Sequence, residues 1–418
     1  MGIYMRIGVG KGRARHRAGG FRVADGRVRS LDATRGLAAV SVVLSHYVLV
    51  LADAGRRRYA HAYHTLRWLS YTPLGLAWAG RAAVVFFFVL SGYVLYVMLE
   101  RGGLSYGAYL KKRVVRLYLP YAGAVILGIF GAAFLYTGPM RGLGPWINKF
   151  WSWSPNTSSL WEHAGFVDAF NSDRYDFTIW TLVQEMRISL IFPLIVLWVR
   201  RSAWTVAWLP FAALAVATIF VRGAASAAGG TWAATVMGGG LTAYSDTVYY
   251  LAPFALGALL ACHRDAVKRH YLALSSWRRL VLGALAFALY FYGSRTLAAL
   301  GDHRMLVHDW PTMMGAALGL VVIAYEPAVK ALLDHRLFQY LGRISYSLYL
   351  FHPLVLLAAL HLFYGRIGLA PLLAGTFVAT LLTADIAYRW LERPAARMAR
   401  ALGEGVTAPR TGVSAPSD

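Results

Sequence analysis

The chain has 418 residues, of which 58% are hydrophobic and 15% are charged. Soluble domains are about 45–50% apolar and ~25% charged, so this composition excludes an ordinary soluble protein and predicts an all-α polytopic membrane protein. The net charge of +23 does not indicate nucleic-acid binding, because Lys and Arg concentrate in alternate loops, as they do in membrane proteins. The single cysteine excludes an internal disulfide and a cysteine-based metal cluster.

Three regions follow one another along the chain. Residues 1–30 are rich in Arg and Gly and lack an apolar core, so they are not a secretory signal but a disordered basic arm. The arm either lies on anionic lipid or only helps to fix the orientation. Residues 31–394 form one membrane domain, and residues 395–418 form a short polar tail.

Ten apolar runs of about membrane-spanning length are present in the membrane domain. They cover residues 34–51, 74–98, 117–136, 177–199, 203–221, 247–262, 280–297, 311–332, 344–363 and 370–390. An even number of spans places both termini on the same side. With that side cytoplasmic, the inner segments carry about 27 Lys and Arg and the outer ones about 10, which satisfies the positive-inside rule.

The first span carries two ionisable residues, Arg35 and His46. Their spacing returns to within ~20° of the same helical face, with a rise of roughly 16 Å. Ionisable groups inside a bilayer are costly and are interpreted as functional by default. The alternatives are that Arg35 is only a positive-inside anchor and that His46 only bonds to a neighbouring helix.

The next two spans add residues at the predicted depth of Arg35. Ser91 ends the second span near its cytoplasmic face, where the following Gly92 lets backbones approach closely. Arg113 and Arg116 follow on a cytoplasmic segment with i, i+3 spacing, on one face of a helix. Two guanidinium groups so placed can bind a phosphate, although ordinary positive-inside charge would give the same pattern.

The outer half of the molecule begins with an aromatic loop at residues 137–176, which either stacks on sugar rings or forms an interfacial belt. Glu185 in the fourth span lies about 10 Å below the outer surface, at the depth predicted for His46. The two side chains could therefore act as a base and its orienting group. Arg81 is the expected structural partner of Glu185.

The ninth span carries a polar stripe of Ser345, Tyr349 and His352 at helical spacing. Pro353 follows and frees backbone carbonyls. Substrate contact and structural hydrogen bonding are both consistent with this stripe. The sequence has no metal-spaced His cluster and no Gly-rich phosphate loop, so no metal is predicted.

These segments resemble the integral membrane acyltransferase-3 family, which includes bacterial O-antigen and other surface-polysaccharide O-acetyltransferases. The matching pieces, in order, are Arg35 with His46, the run FFVLSG at residues 87–92, the pair Arg113 and Arg116, Trp180-Thr-Leu-x-x-Glu185 with Pro193, and SYSLYLFHP at residues 345–353. The sequence departs from the family at Ile188-Ser189, where an aromatic pair is often found after the Glu, and this change is expected to alter the acceptor site. It also lacks the esterase-like domain that some members carry.

The resemblance implies an O-acyltransferase, most simply an O-acetyltransferase, of the bacterial inner membrane, with both termini cytoplasmic. Acyl-coenzyme A is the implied donor, and the implied acceptor is a carbohydrate or lipid-linked glycan, with a small secondary metabolite also compatible. His46 and Glu185 are the expected catalytic residues. The expected donor-binding residues are Arg35, Arg113, Arg116 and Ser91, and the expected substrate contacts are Tyr349 and His352.

His46 either removes the proton of the acceptor hydroxyl or carries the acyl group transiently. The alternative function is a proton-coupled secondary transporter or flippase, in which buried ionisable residues form a proton relay. Transporters commonly show internal repeats, and none is evident here. A receptor-like or scaffolding protein would leave the matched depths of His46 and Glu185 without a purpose.

Overall fold

The computed structural model describes residues 29–58, 60–100, 105–168, 170–227, 241–293, 295 and 305–404, and these residues are almost entirely helical. In chain order the α-helices are α1 Arg29–Arg58, α2 Ala60–Leu69, α3 Gly80–Glu100, α4 Tyr106–Phe134, α5 Pro145–Asn148, α6 Thr157–Gly165, α7 Trp180–Arg201, α8 Leu209–Ala227, α9 Leu241–Cys262, α10 Arg264–Ala273, α11 Ser276–Phe287, α12 Met305–Tyr325, α13 Pro327–Leu333, α14 Arg336–Phe363, α15 Leu369–Ala387 and α16 Arg393–Glu404. Short 3-10 helices at Pro73–Trp78 and Ser172–Arg174 and π-helical turns at Ala288–Tyr292 and Tyr388–Glu392 complete the chain.

Seven helices of the described chain are long and apolar enough to cross a membrane. An eighth candidate is broken, because α12 and α13 meet at a bend of 83° before Pro327. The fifth expected span corresponds to a shorter apolar helix, Leu209–Ala224. The seventh corresponds to α11 and its π-helical turn, and its end lies outside the described residues. The prediction of an all-α polytopic membrane protein is confirmed.

The most extensive helix crossing among the described helices joins α1 to α14. Gly36 lies against the backbone of Leu341 and Gly342, and Gly342 lies against the backbone of Asp32. A Cβ atom at either glycine would overlap these backbone atoms, so only glycine permits the crossing. The contact fixes the register of α1 against α14, and both helices carry candidate functional residues.

A second close crossing joins α3 to α9. Gly92 lies against the backbone of Phe254, and Gly257 lies against the backbone of Val89. The role expected for Gly92, close approach of two backbones, is therefore what the structure shows. This crossing holds Ser91 at the surface of a cavity rather than between the helices.

The chain between α4 and α7, residues 137–179, folds into short helices and turns over one end of the bundle. Trp151 is fully buried and donates its indole N–H to the Tyr175 carbonyl at 3.0 Å. Trp161 is 74% exposed. The aromatic side chains of this segment therefore divide into an inward-facing group and an outward-facing group, and only the second could form an interfacial belt.

Two expected boundaries differ from the structure in ways that affect the site. Helix α4 begins at Tyr106, capped by the Ser105 side chain, whereas the third span was expected to begin at residue 117. Arg113 and Arg116 therefore lie inside a long helix and not on a cytoplasmic segment before it. The expected tail begins as the amphipathic helix α16, and residues 1–28 and 405–418 of the expected arm and tail lie outside the described residues.

Candidate active site

A cavity with an empty volume of about 980 Å³, including the open space at its mouth, lies among α1, α3, α4, α7, α14 and the turn Tyr388–Glu392. Apolar side chains of α3 form one wall. The polar lining residues include Arg35, Ser91, Arg113, Arg116, Glu185, Ser345 and Glu392. All four residues expected to bind the donor therefore line one cavity.

Arg35 is fixed to the neighbouring helix α14. Its Nε donates to the Ser345 hydroxyl at 2.9 Å, and Nη2 lies 3.4 Å from the Gly342 carbonyl oxygen. Nη2 also lies 3.3 Å from a carboxylate oxygen of Asp32, one turn earlier in α1. These contacts follow from the glycine crossing, which brings the start of α1 against the backbone of α14. Arg35 is thus held in place and still faces the cavity.

Arg113 is neutralised by a buried carboxylate. Its Nη2 lies 2.6 Å from Oε1 of Glu185, and its Nε donates to the Ser189 hydroxyl at 3.2 Å. The expectation that Glu185 pairs with His46 is therefore wrong. Thr181, one turn before Glu185, meets Tyr349, which lies one turn below His352, so Glu185 lies about 10 Å below the imidazoles.

Two other expectations about this neighbourhood also need correction. Ser189, the position that departs from the family pattern, contacts Arg113, so the departure affects the arginine cluster. Arg81, expected to pair with Glu185, forms a salt bridge with the buried Asp309 and donates to the Tyr250 hydroxyl at 2.8 Å. The depth estimate placed Glu185 level with His46 by assuming that their spans have level ends, whereas the contact of Thr181 with Tyr349 places Glu185 lower.

Arg116 differs from the other two arginines of the cavity. It forms no hydrogen bond or ion pair with any residue in the described ranges, and its side chain is exposed to the cavity. Glu392, on the π-helical turn after α15, accepts from the Ser347 hydroxyl at 2.8 Å and also faces the cavity. Arg116 is thus the guanidinium of this cavity whose donors remain available to an anion.

Next to the end of the cavity that Tyr349 lines, two imidazole rings meet between α1 and α14. His46 Nδ1 lies 2.9 Å from His352 Nε2. His352 is fully buried, and His46 is half-buried. Neither ring lines this cavity, and His352, which was expected to contact substrate, is fully buried and contacts His46.

Tyr349 separates the cavity from the imidazole pair. Its ring lies 6.2 Å from the His352 ring and 5.7 Å from that of Phe87, and its hydroxyl is 2.8 Å from the Thr181 hydroxyl. The side chain lines the cavity, as expected for a substrate contact.

Aromatic side chains of residues 137–179 cover the other side of His46. The Trp146 ring is parallel to the imidazole at 5.9 Å, and Phe177 meets the imidazole edge-on at 4.9 Å. Phe177 is placed by a turn in which Asp176 accepts from the backbone N–H and hydroxyl of Thr178, both at 2.8 Å. Burial raises the pKa of Asp176 from its usual 3.8 to about 7.

Sequence reasoning did not place Glu392 or Phe177 at the site, and it named Trp146 only as one aromatic of the loop at residues 137–176. Each reaches the site through a turn or a very short helix, where helical periodicity carries no information about facing. The sequence pattern that could have indicated Phe177 is the Asp-x-Thr turn just before α7. Such a turn fixes the direction of the residue between the Asp and the Thr, which here is Phe177.

The arrangement defines a class of protein: a helical membrane protein with an arginine-lined cavity that ends beneath a pair of imidazoles. The acyltransferase-3 family, an acyltransferase domain, matches residues 28–389, and the chain belongs to this family. It is therefore a membrane acyltransferase, and this membership favours the enzyme over the transporter. No curated protein and no solved structure gives a significant match to the chain.

Proposed function

We propose that the protein transfers an acyl group, most simply acetyl, from cytoplasmic acyl-coenzyme A to a hydroxyl of an acceptor outside the bacterial inner membrane. The acceptor class is a carbohydrate or lipid-linked glycan, or a small secondary metabolite. The observation that carries the proposal is the arginine-lined cavity, in which Tyr349 contacts the ring of His352, the partner of His46. In the proposed orientation both termini are cytoplasmic, and the arginine cluster faces the donor.

Arg116 is the principal phosphate ligand in this proposal. A guanidinium binds phosphate through paired charge-assisted hydrogen bonds, and the donors of Arg116 are not engaged by described residues. Arg35 is the second ligand, since it faces the cavity from α1. Arg113 is already bonded to Glu185, so the pair shapes the cavity and contributes less to donor affinity.

The pantetheine arm of the donor then runs along α3 past Ser91 toward His46. Arg35 and His46 are separated by roughly 16 Å along α1, a span comparable with an extended pantetheine arm. Tyr349 must turn away for the thioester to pass, which breaks its hydrogen bond with Thr181. The bound arm would then reach from the arginine-lined cavity to the imidazole pair, past the position that the Tyr349 ring occupies in this structure.

The proposed reaction is a direct transfer with His46 as general base. Nε2 of His46 takes the proton of the acceptor hydroxyl while the hydroxyl oxygen attacks the thioester carbonyl carbon. The carbon–sulfur bond breaks, and the proton on the imidazole passes to the departing thiolate, so the products are an ester and coenzyme A. General-base catalysis of this kind contributes about 10²–10⁴-fold.

The test uses proteoliposomes in which the cytoplasmic face points outward. Labelled acetyl-coenzyme A is supplied outside, and an acceptor, identified by loss of an acyl mass from cells lacking the protein, is enclosed in the lumen. We expect acylation of the lumenal acceptor without a proton gradient. His46→Ala should lower turnover about 10²–10⁴-fold and leave coenzyme A affinity intact.

Two results would contradict the proposal. One is a purified His46→Ala protein that keeps most of its turnover. The other is acylation only when donor and acceptor share the cytoplasmic side. Movement of the label into the lumen without acylation would instead favour a transporter.

A further inference from the structure

The contact between His46 and His352 has a definite direction of hydrogen bonding. His352 Nδ1 lies 2.7 Å from the Tyr349 carbonyl oxygen and 3.2 Å from that of Leu348. A carbonyl oxygen only accepts, so His352 carries its hydrogen on Nδ1. The Tyr349 carbonyl is available because Pro353 lacks the backbone N–H that would normally bond to it in a helix.

The tautomer of His352 determines that of His46. A neutral imidazole with its hydrogen on Nδ1 has a lone pair on Nε2. The 2.9 Å contact therefore requires His46 to donate from Nδ1, which leaves the lone pair of His46 on Nε2. A doubly protonated His352 would reverse this direction, but it would bury a cation that no carboxylate of the described chain contacts.

We propose that His352 is a positioning residue that fixes His46 in the tautomer required of a general base. This inference rests on the proposed function and adds the group that orients the base. During transfer, Nε2 of His46 takes the hydroxyl proton and later gives it to the thiolate. Nδ1–H of His46 remains bonded to His352 throughout, so His352 neither gains nor loses a proton and never touches substrate.

His352 acts here as a neutral counterpart of the carboxylate that orients the histidine in hydrolase triads. It supplies orientation without charge, which suits a site enclosed by Phe177 and other apolar rings, because a buried carboxylate there would need its own partner. The His-Pro step of α14 serves this role twice: the imidazole orients His46, and Pro353 leaves free the carbonyl that orients the imidazole.

The direct test is the nitrogen chemical shifts of His46 in protein labelled with ¹⁵N-histidine and reconstituted in lipid, assigned by comparison with His46→Gln. We expect the hydrogen of His46 on Nδ1. In His352→Leu, which removes the acceptor on α14 and leaves His46 only the Val42 carbonyl of its own helix, we expect the Nε2–H form to gain population. Finding His46 with its hydrogen on Nε2 in the wild-type protein would overturn the inference.

Kinetics supply the second measurement. His352→Leu should lower kcat about 10²-fold with an unchanged KM for acetyl-coenzyme A, since only the base is misdirected. His352→Gln should recover at least a tenth of wild-type kcat, because Oε1 of the amide can accept from Nδ1–H of His46. His361→Gln, on the same helix beside Thr137, is the matched control and should leave kcat unchanged.

The outcomes separate this inference from the proposed function. An inactive His46→Ala together with a His352→Leu variant within twofold of wild type would refute the positioning role and leave the acyltransferase proposal standing. An active His46→Ala would refute both. If His352→Leu fails to fold, the wild-type nitrogen shifts and the His352→Gln kinetics still decide the question.

Discussion

The buried ion pair of Arg113 and Glu185 allows a quantitative prediction that distinguishes a structural role of the two residues from a catalytic one. The two side chains are 8% and 22% exposed, and their nearest charged atoms are 2.6 Å apart. Removing one partner of a buried pair leaves the other charge uncompensated and costs about 3–5 kcal/mol. Because Glu185 is partly exposed, we expect the lower end, ~3 kcal/mol, for Glu185→Gln and similarly for Arg113→Gln.

The double variant Arg113→Gln/Glu185→Gln carries neither charge of the pair, so no charge is left uncompensated there. Its unfolding free energy should therefore fall by less than that of either single variant. Reversible unfolding by SDS in mixed micelles, followed by tryptophan fluorescence, measures all three. We expect the kcat of the double variant to stay within about tenfold of wild type, which corresponds to ~1.4 kcal/mol in the barrier. A double variant that folds as well as the wild type and has no turnover would show that Arg113 or Glu185 takes part in catalysis.

Three further predictions concern the donor, the aromatic cover and pH. Arg116→Lys should weaken coenzyme A binding about tenfold in calorimetric titration, because Lys cannot form the bidentate contact, whereas Arg264→Lys should bind normally; equal affinities would leave Arg116 as a topology anchor. Trp146→Ala should admit water to the imidazole of His46 and raise acceptor-independent coenzyme A release severalfold in a thiol assay. Trp161→Ala, which removes an exposed side chain, should leave this release unchanged. Burial raises the pKa of Asp176 to about 7, so the folded state binds its proton more tightly and this residue lowers stability progressively from about pH 4 to pH 7. Asp176→Asn should remove that component of the pH dependence of Tm, and an unchanged profile would contradict the shift.

The sequence indicated most of the residues that line the cavity but few of the contacts between them. Arg35 and Ser91 could be placed at one level because each sits on a long apolar helix, where depth is readable, and Arg113 joined them through its expected position on the cytoplasmic side. The partner of Glu185 could not, because a depth estimate assumes parallel spans with level ends, whereas α4 begins eleven residues earlier than its apolar run. Contact across helices depends on the register set by close crossings, and a one-turn offset changes every partner.

The positions of the aromatic side chains that cover His46 could not be predicted from the sequence. Trp146 and Phe177 sit in a segment without regular periodicity, so composition alone suggested either sugar stacking or a lipid belt. Their directions are set by turns and by packing against the imidazoles, which are interactions between distant parts of the chain. His352 was recognised as polar and buried, but the direction of its hydrogen bond needed the carbonyl geometry that the structure supplies.

The glycine crossing of α1 and α14 would make the proposed donor recognition and the proposed base orientation depend on one pair of helices. The same two helices carry the contact of Arg35 with Ser345 at one level and the contact of His46 with His352 at another. A slip of one residue moves a helix by about 1.5 Å, enough to break both contacts together. A donor bound to Arg35 in the proposed reaction therefore loads the same helix pair that aligns the imidazoles.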